Sequence, residues 1–188
     1  MNTKNNQRFR DSELRMAEAM LSIMKHTELS KITVRKICEQ AGVNRSTFYA
    51  HFSDIYDMID KMEMELRKEL IHGYRTDDRK YQFLSTESFL PFLKHIKKHR
   101  DFYKINLQTR TSFPLPQGFE PLWSEHIKPV FQKAGIRSEN EMMYYFVYFQ
   151  AGFTMVLKRW VDTGCQEPET EVASIIRSCL PPALLAFS

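Results

Sequence analysis

Apolar residues recur at spacings of three and four along almost the whole chain. No stretch alternates apolar and polar residues between Asn-Gly or Asp-Gly turns. That pattern predicts helices and no strands. Leu14, Ala17, Leu21 and Met24 form the first stripe, with Ser12 as its expected N-cap. A shorter helix follows Thr33, a good cap, with Ile32 and Ile37 placed as a hydrophobic staple. Ala41-Gly42-Val43 breaks it, because Gly42 can take the positive φ of a tight turn. Asn44 then repeats the device, with Val43 and Phe48 as the staple of a helix from Arg45 to Phe52. Phe48 and Phe52, four apart, share one face. At about 100° per residue, Ser46, Tyr49 and Ala50 point the other way, with Thr47 on the flank. Two short helices joined by a Gly turn, the second with a small, hydroxyl-bearing and aromatic outer face, read as a helix-turn-helix.

Asp54 is the expected cap of a long helix whose stripe is Ile55, Met58, Ile59, Met62, Leu66 and Leu70, ending near Tyr74. Further helices are expected at about 86–99, 100–108 and 121–134, with a Pro-containing loop over 109–118. Ser138-x-x-Glu141 is a capping box and opens the most apolar helix, which stops at Gly164. Pro168 suits the first turn of a last helix, and Pro181-Pro182 end it. The expected fold is all-α with about nine helices. It comprises a three-helix DNA-binding module over 1–54, with its motif at about 33–52, and a helical dimerisation and ligand domain over 55–188.

Composition narrows the function. Of 188 residues 43% are apolar and 27% charged, an ordinary globular balance that excludes a mainly disordered chain. Three Cys without a C-x-x-C exclude a disulfide scaffold and point to a reducing, cytoplasmic setting. The polar N-terminus has no apolar core of a signal peptide. The longest nearly apolar run, Met142 to Leu157, is short for a membrane span, so no membrane partner is expected. Net charge is only +4. The first ten residues, however, carry Lys4, Arg8 and Arg10 and no acid, which reads either as a solvated tail or as an arm reaching phosphate.

There is no P-loop, G-x-G-x-x-G or G-x-S-x-G, and no acid–base pair at a telling spacing, so neither an enzyme nor a cofactor is expected. His95 and His99 share a helix face at a zinc-compatible spacing. Lys94, Lys97 and Lys98 beside them argue against a metal, and none is expected. Cys38 reads as packing. The helix over 139–162 is apolar in every direction around Met142–Phe149, and such a helix needs cover on all sides. A homodimer through the last two helices supplies it, with Tyr145, Phe149, Gly152, Phe153, Val156, Trp160, Ile175 and Ile176 at the seam. Phe89, Phe92, Phe102, Tyr103, Trp123, Tyr144 and Tyr148 are candidate linings of a ligand pocket, with an aromatic core as the alternative reading of each.

The segment from Ile32 to Phe52, ITVRKICEQAGVNRSTFYAHF, resembles the helix-turn-helix of the TetR family of bacterial transcriptional regulators through T-V-x-x-I, A-G-V and T-F-Y-x-H-F. The resemblance covers roughly residues 10–60. It implies a homodimer on a palindromic double-stranded DNA operator, usually released by a small-molecule effector, and a repressor before an activator. By the same resemblance Thr33 caps its helix and touches phosphate, Arg45, Ser46, Thr47 and Tyr49 face the major groove beside the cap Asn44, and His51 lies near phosphate. Family members often carry Lys soon after the His-Phe pair, where this chain reads Ser53-Asp54-Ile55. Arg8, Arg10 and Lys36 are the cations available in its place. The rival reading is an interaction adaptor whose helix-turn-helix no longer reads DNA.

Overall fold

The computed structural model of the protein describes residues 3–76, 84–107, 123–180 and 185. Among these are nine α-helices and no strand: α1 Thr3–Met24, α2 Val34–Ala41, α3 Arg45–His51, α4 Ile55–Thr76, α5 Thr86–Lys98, α6 Arg100–Asn106, α7 Lys128–Lys133, α8 Glu139–Asp162 and α9 Glu169–Ser178. The all-α expectation holds. The expected loop over 109–118, the start of the helix at Pro121 and the Pro181-Pro182 stop lie outside the described residues. No helix among the described residues is long and apolar enough to cross a membrane.

The chain divides into two compact units, Met1–His72 and Gly73–Ser188. The division falls inside α4, not at residue 54. The reason is that the first half of α4 is tied to the helix-turn-helix. Lys61 Nζ donates to the His51 carbonyl at 2.7 Å, and the Ser53 N–H donates to Asp57 Oδ2 at 2.8 Å.

In the first unit the cap rules act as expected. Thr33 Oγ1 accepts from the Lys36 N–H at 3.2 Å, and Gly42 turns the chain with φ +63°. Ile37, Cys38 and Ala41 of α2 are buried, as are Phe48 of α3 and Phe52 beyond it. The first helix departs from expectation. It begins at Thr3, and Ser12 is a buried mid-helix residue rather than a cap. Its buried stripe is Met16, Ala19, Met20, Ile23 and Met24, while Leu14 is 62% exposed. Ser12 opens that stripe at the i−4 position of Met16, so a polar residue hid the true face.

In the second unit, α5 packs on α9 and α6 on α8. Leu84, Val130, Phe131, Met142 and Leu180 form a core cluster, with Phe89, Trp123 and Phe149 packed against it. The face of α8 toward this unit holds Met142, Thr154, Leu157, Trp160 and Val161. The opposite face is open: Tyr144 and Tyr148 are each 78% exposed, with Val147, Ala151, Gly152 and Met155 beside them. Tyr144 and Tyr148, expected at a pocket, therefore stand outside the buried core of this unit among the described residues. A helix apolar all round cannot show from sequence which side its own unit takes. Trp160 and Ile176, expected at a dimer seam, are instead core residues at 3% and 2% exposure. Trp160 also donates its indole N–H to the Glu167 carbonyl at 3.0 Å, as a buried indole requires. Phe102 and Tyr103 are buried. His95, read for zinc above, is a buried histidine with Nε2 3.2 Å from the Tyr103 hydroxyl.

Candidate nucleic-acid interface

The exposed surface of α3 is built from its cap outward. Asn44 Oδ1 accepts three hydrogen bonds: from the Thr47 N–H at 2.7 Å, from Thr47 Oγ1 at 2.8 Å and from Ser46 Oγ at 2.7 Å. One carbonyl oxygen thus closes the first turn of the helix and turns both hydroxyl protons inward. Ser46 and Thr47 are left with oxygen lone pairs, and Thr47 with its methyl group, to present outward. Tyr49, 51% exposed, stands one position further round and leans edge-on against Phe48 at 5.5 Å. Phe48 is fully buried and contacts Phe52 at 5.4 Å, which fixes the back of α3 to the unit. Arg45, Ser46 and Ala50 are exposed, Thr47 half so.

The cations around this face fall into two groups. Lys31 pairs with Glu28, Arg35 with Glu39 and Lys61 with Asp57. Lys36 Nζ reaches the Thr27 hydroxyl at 3.1 Å. The Ser53 N–H and Lys61 together hold the Asp57 carboxyl below its ordinary range. Arg8, Arg10 and Arg45 are exposed and have no ion pair among the described residues. Lys61 sits on the last carbonyl of α3, where a cation complements the helix end. It neutralises the C-terminus of α3 without occupying the position after the His-Phe pair.

His51 is the correction at this site. Expected at the phosphate edge, it is buried. The Phe9 ring stacks on it with centroids 3.6 Å apart. Ser12 Oγ lies 2.9 Å from Nε2 and gives its own proton to the Phe9 carbonyl, so the Nε2–H of His51 is the donor between them. The imidazole thereby locks α1 onto the end of α3. No local pattern announces this, because the partners lie 39 residues apart. Burial, aided by the nearby Lys61 charge, holds the His51 pKa below 6.5, although Glu13 at 3.8 Å pulls the other way.

A depressed histidine pKa means that the unfolded chain takes up the proton first. Stability from this contact is full above pH 6.5 and declines as the pH falls from there through the folded-state pKa. Thermal melts of wild type and His51→Gln across that range should therefore converge toward acid. If the two curves ran parallel, the histidine would not be the titrating lock.

Asn44 caps α3, which carries Arg45, Ser46, Thr47 and Tyr49, while Thr33 caps α2 and Lys36 lies in its first turn. It also discloses Phe9, Ser12 and Arg15 of α1 as walls of an open cleft of about 920 Å³ against the first turn of α3.

Residues 22–62 match the family described as bacterial regulatory proteins, tetR family. Residues 84–181 match a transcriptional regulator C-terminal region. The uncharacterized HTH-type transcriptional regulator YxbF of Bacillus subtilis (strain 168) is 28% identical over 98 residues, 50% of this chain and 26% of that protein. The chain thus spans about a quarter of the length of that relative. The solved structure of the dihydroxyacetone kinase operon activator DhaS shares the fold, with TM-score 0.53, 18% identity and coverage of 93% of this chain and 94% of that one.

Proposed function

This chain belongs to the TetR family of bacterial regulatory proteins, and from that premise we propose that it binds a palindromic operator as a homodimer and acts as a ligand-released repressor. The observation that carries the DNA reading is the α3 surface. Anchored behind by Phe48, it presents Arg45, Ser46, Thr47 and Tyr49 outward, and Arg45 has no ion pair among the described residues. Small Ser46 and Ala50 let the helix approach base edges closely. With the Ser46 and Thr47 protons on Asn44, these two accept from base amino groups or touch a thymine methyl, and the Tyr49 hydroxyl is the donor.

The open face of α8, with the exposed Ile175 of α9, supports the homodimer. In the second unit Phe153 gathers Phe92, Phe149 and Phe89 at 5.4, 5.6 and 6.3 Å, an aromatic cluster that suits a partly apolar effector. Such an effector weakens DNA binding only by favouring one of two states of the protein.

Side chains that read bases and side chains that hold phosphates predict different mutant behaviour. Tyr49→Phe should cost about 1–3 kcal/mol on the operator and little on random duplex. Arg45→Ala should weaken both and lower the salt slope by about one unit for each phosphate that goes unneutralised. Anisotropy titrations at several salt concentrations separate the two. Wild-type affinity for the operator in Tyr49→Phe and Thr47→Ala alike would remove α3 as the reading element and favour the adaptor.

A further inference from the structure

Arg15 has no role in the reading above. It follows Arg8 by seven residues on α1, about two turns, so both project from the same side of the helix. Both open on the cleft of about 920 Å³ whose other wall is the Gly42 turn and the start of α3, with Asn44, Ser46 and Thr47. Arg15 Nη1 lies 3.9 Å from where a Cβ on Gly42 would stand, so the guanidinium overhangs the turn.

Asp11 also lines the cleft, and its Oδ1 accepts from the Gln7 amide at 3.0 Å. Two guanidiniums against one carboxylate leave the cleft positive. Neither arginine is paired among the described residues, whereas Arg35 on α2 is held by Glu39 at 2.7 Å. Asn44, whose oxygen is saturated by three donors, has its amide NH2 left to donate. Forked cations facing an amide donor across an open cleft are suited to a phosphate group.

We propose that the cleft between α1 and the α2–α3 turn is a phosphate subsite, in which Arg15 and Arg8 hold a backbone phosphodiester of the DNA beside the reading helix. This rests on the DNA-binding reading above. It places a phosphate contact on α1, across from the first turn of α3, and makes α1 part of the docking surface. Inorganic phosphate presents the same oxygens, so the test has two arms.

In the first arm, full-length protein is titrated with operator and random-sequence duplexes over a range of salt. Arg15→Gln should weaken both and lower the slope of log affinity against log salt by about one unit. Arg8→Gln provides a second variant with the same expected result, should Arg15→Gln fail to fold by circular dichroism. Arg15→Lys should keep the slope, and Arg35→Gln should change neither slope nor affinity. In the second arm, inorganic phosphate is titrated against wild type and Arg15→Gln and read by melting temperature. An unchanged slope in Arg15→Gln and Arg8→Gln, with wild type binding duplex normally, overturns the subsite and leaves the DNA reading intact. An unchanged slope with Arg15-dependent stabilisation by phosphate reassigns the cleft to a free anion and overturns the backbone contact. Absence of duplex binding by wild type removes both readings together.

Discussion

Phe48→Ala is expected to unfold the N-terminal unit and abolish DNA binding of any kind. Phe48 has no exposed surface, and it meets Tyr49 and Phe52 as the side chain that fixes the back of α3. Removing a buried phenylalanine costs about 3–5 kcal/mol, through forfeited transfer energy and the cavity left behind. A unit this small buries a modest core, and whole domains hold only about 5–15 kcal/mol of stability. The substitution therefore takes most of what the unit has. Hydrogen exchange on the full chain should show amides of Met1–His72 losing protection while those of α5 to α9 keep theirs. Native protection throughout, with DNA binding intact, would show that α3 is held by something other than this side chain.

The second large effect is on assembly. Gly152→Arg should convert the protein from dimer to folded monomer. Gly152 is exposed on the open face of α8, and a Cβ there would meet nothing within 4 Å. Replacing a mid-helix glycine gains about 0.5–1 kcal/mol of helix propensity, so the protomer should not suffer. A charged side chain there, between Tyr148 and Met155, does block a second helix from approaching. Exposed apolar surface of this kind marks an interaction face. Sedimentation equilibrium should give twice the chain mass for wild type and one chain mass for the variant. A dimeric Gly152→Arg would move the seam elsewhere, and a monomeric wild type would remove the homodimer.

The parts of this fold that were legible are those governed within one turn of helix. Thr33, Asn44 and Ser138 each accept from the N–H three residues on, and a cap of that kind needs only local spacing. Phe48 and Phe52 were readable as one face for the same reason. The parts that were not legible depend on distant partners. Ser12 is buried with His51, 39 residues away, as its partner, and the buried stripe of α1 runs through Met16 and Met20 while Leu14 is exposed. His51 carries a polar side chain in a motif whose resemblance implied phosphate, and the Phe9 ring stacked on it and the Ser12 hydroxyl beside it, both on α1, help to bury it. Lys61 reaches the end of α3 from ten residues along. Tyr144 and Trp160 lie on the same apolar helix with opposite fates, because which face packs inward is decided by α6 and the core cluster rather than by α8 itself.

In the proposed function, α3 reads a specific DNA sequence once per protomer of a symmetric pair. The most direct test is selection of genomic fragments by the full-length protein, with sequencing of what is retained. Enrichment of a palindrome is expected, with half-sites about one helical turn apart, ~34–36 Å, if both fall on one face of the duplex. That enrichment should weaken with Tyr49→Phe. Retention of fragments without a shared two-fold motif, or no retention above background at low salt, would contradict it.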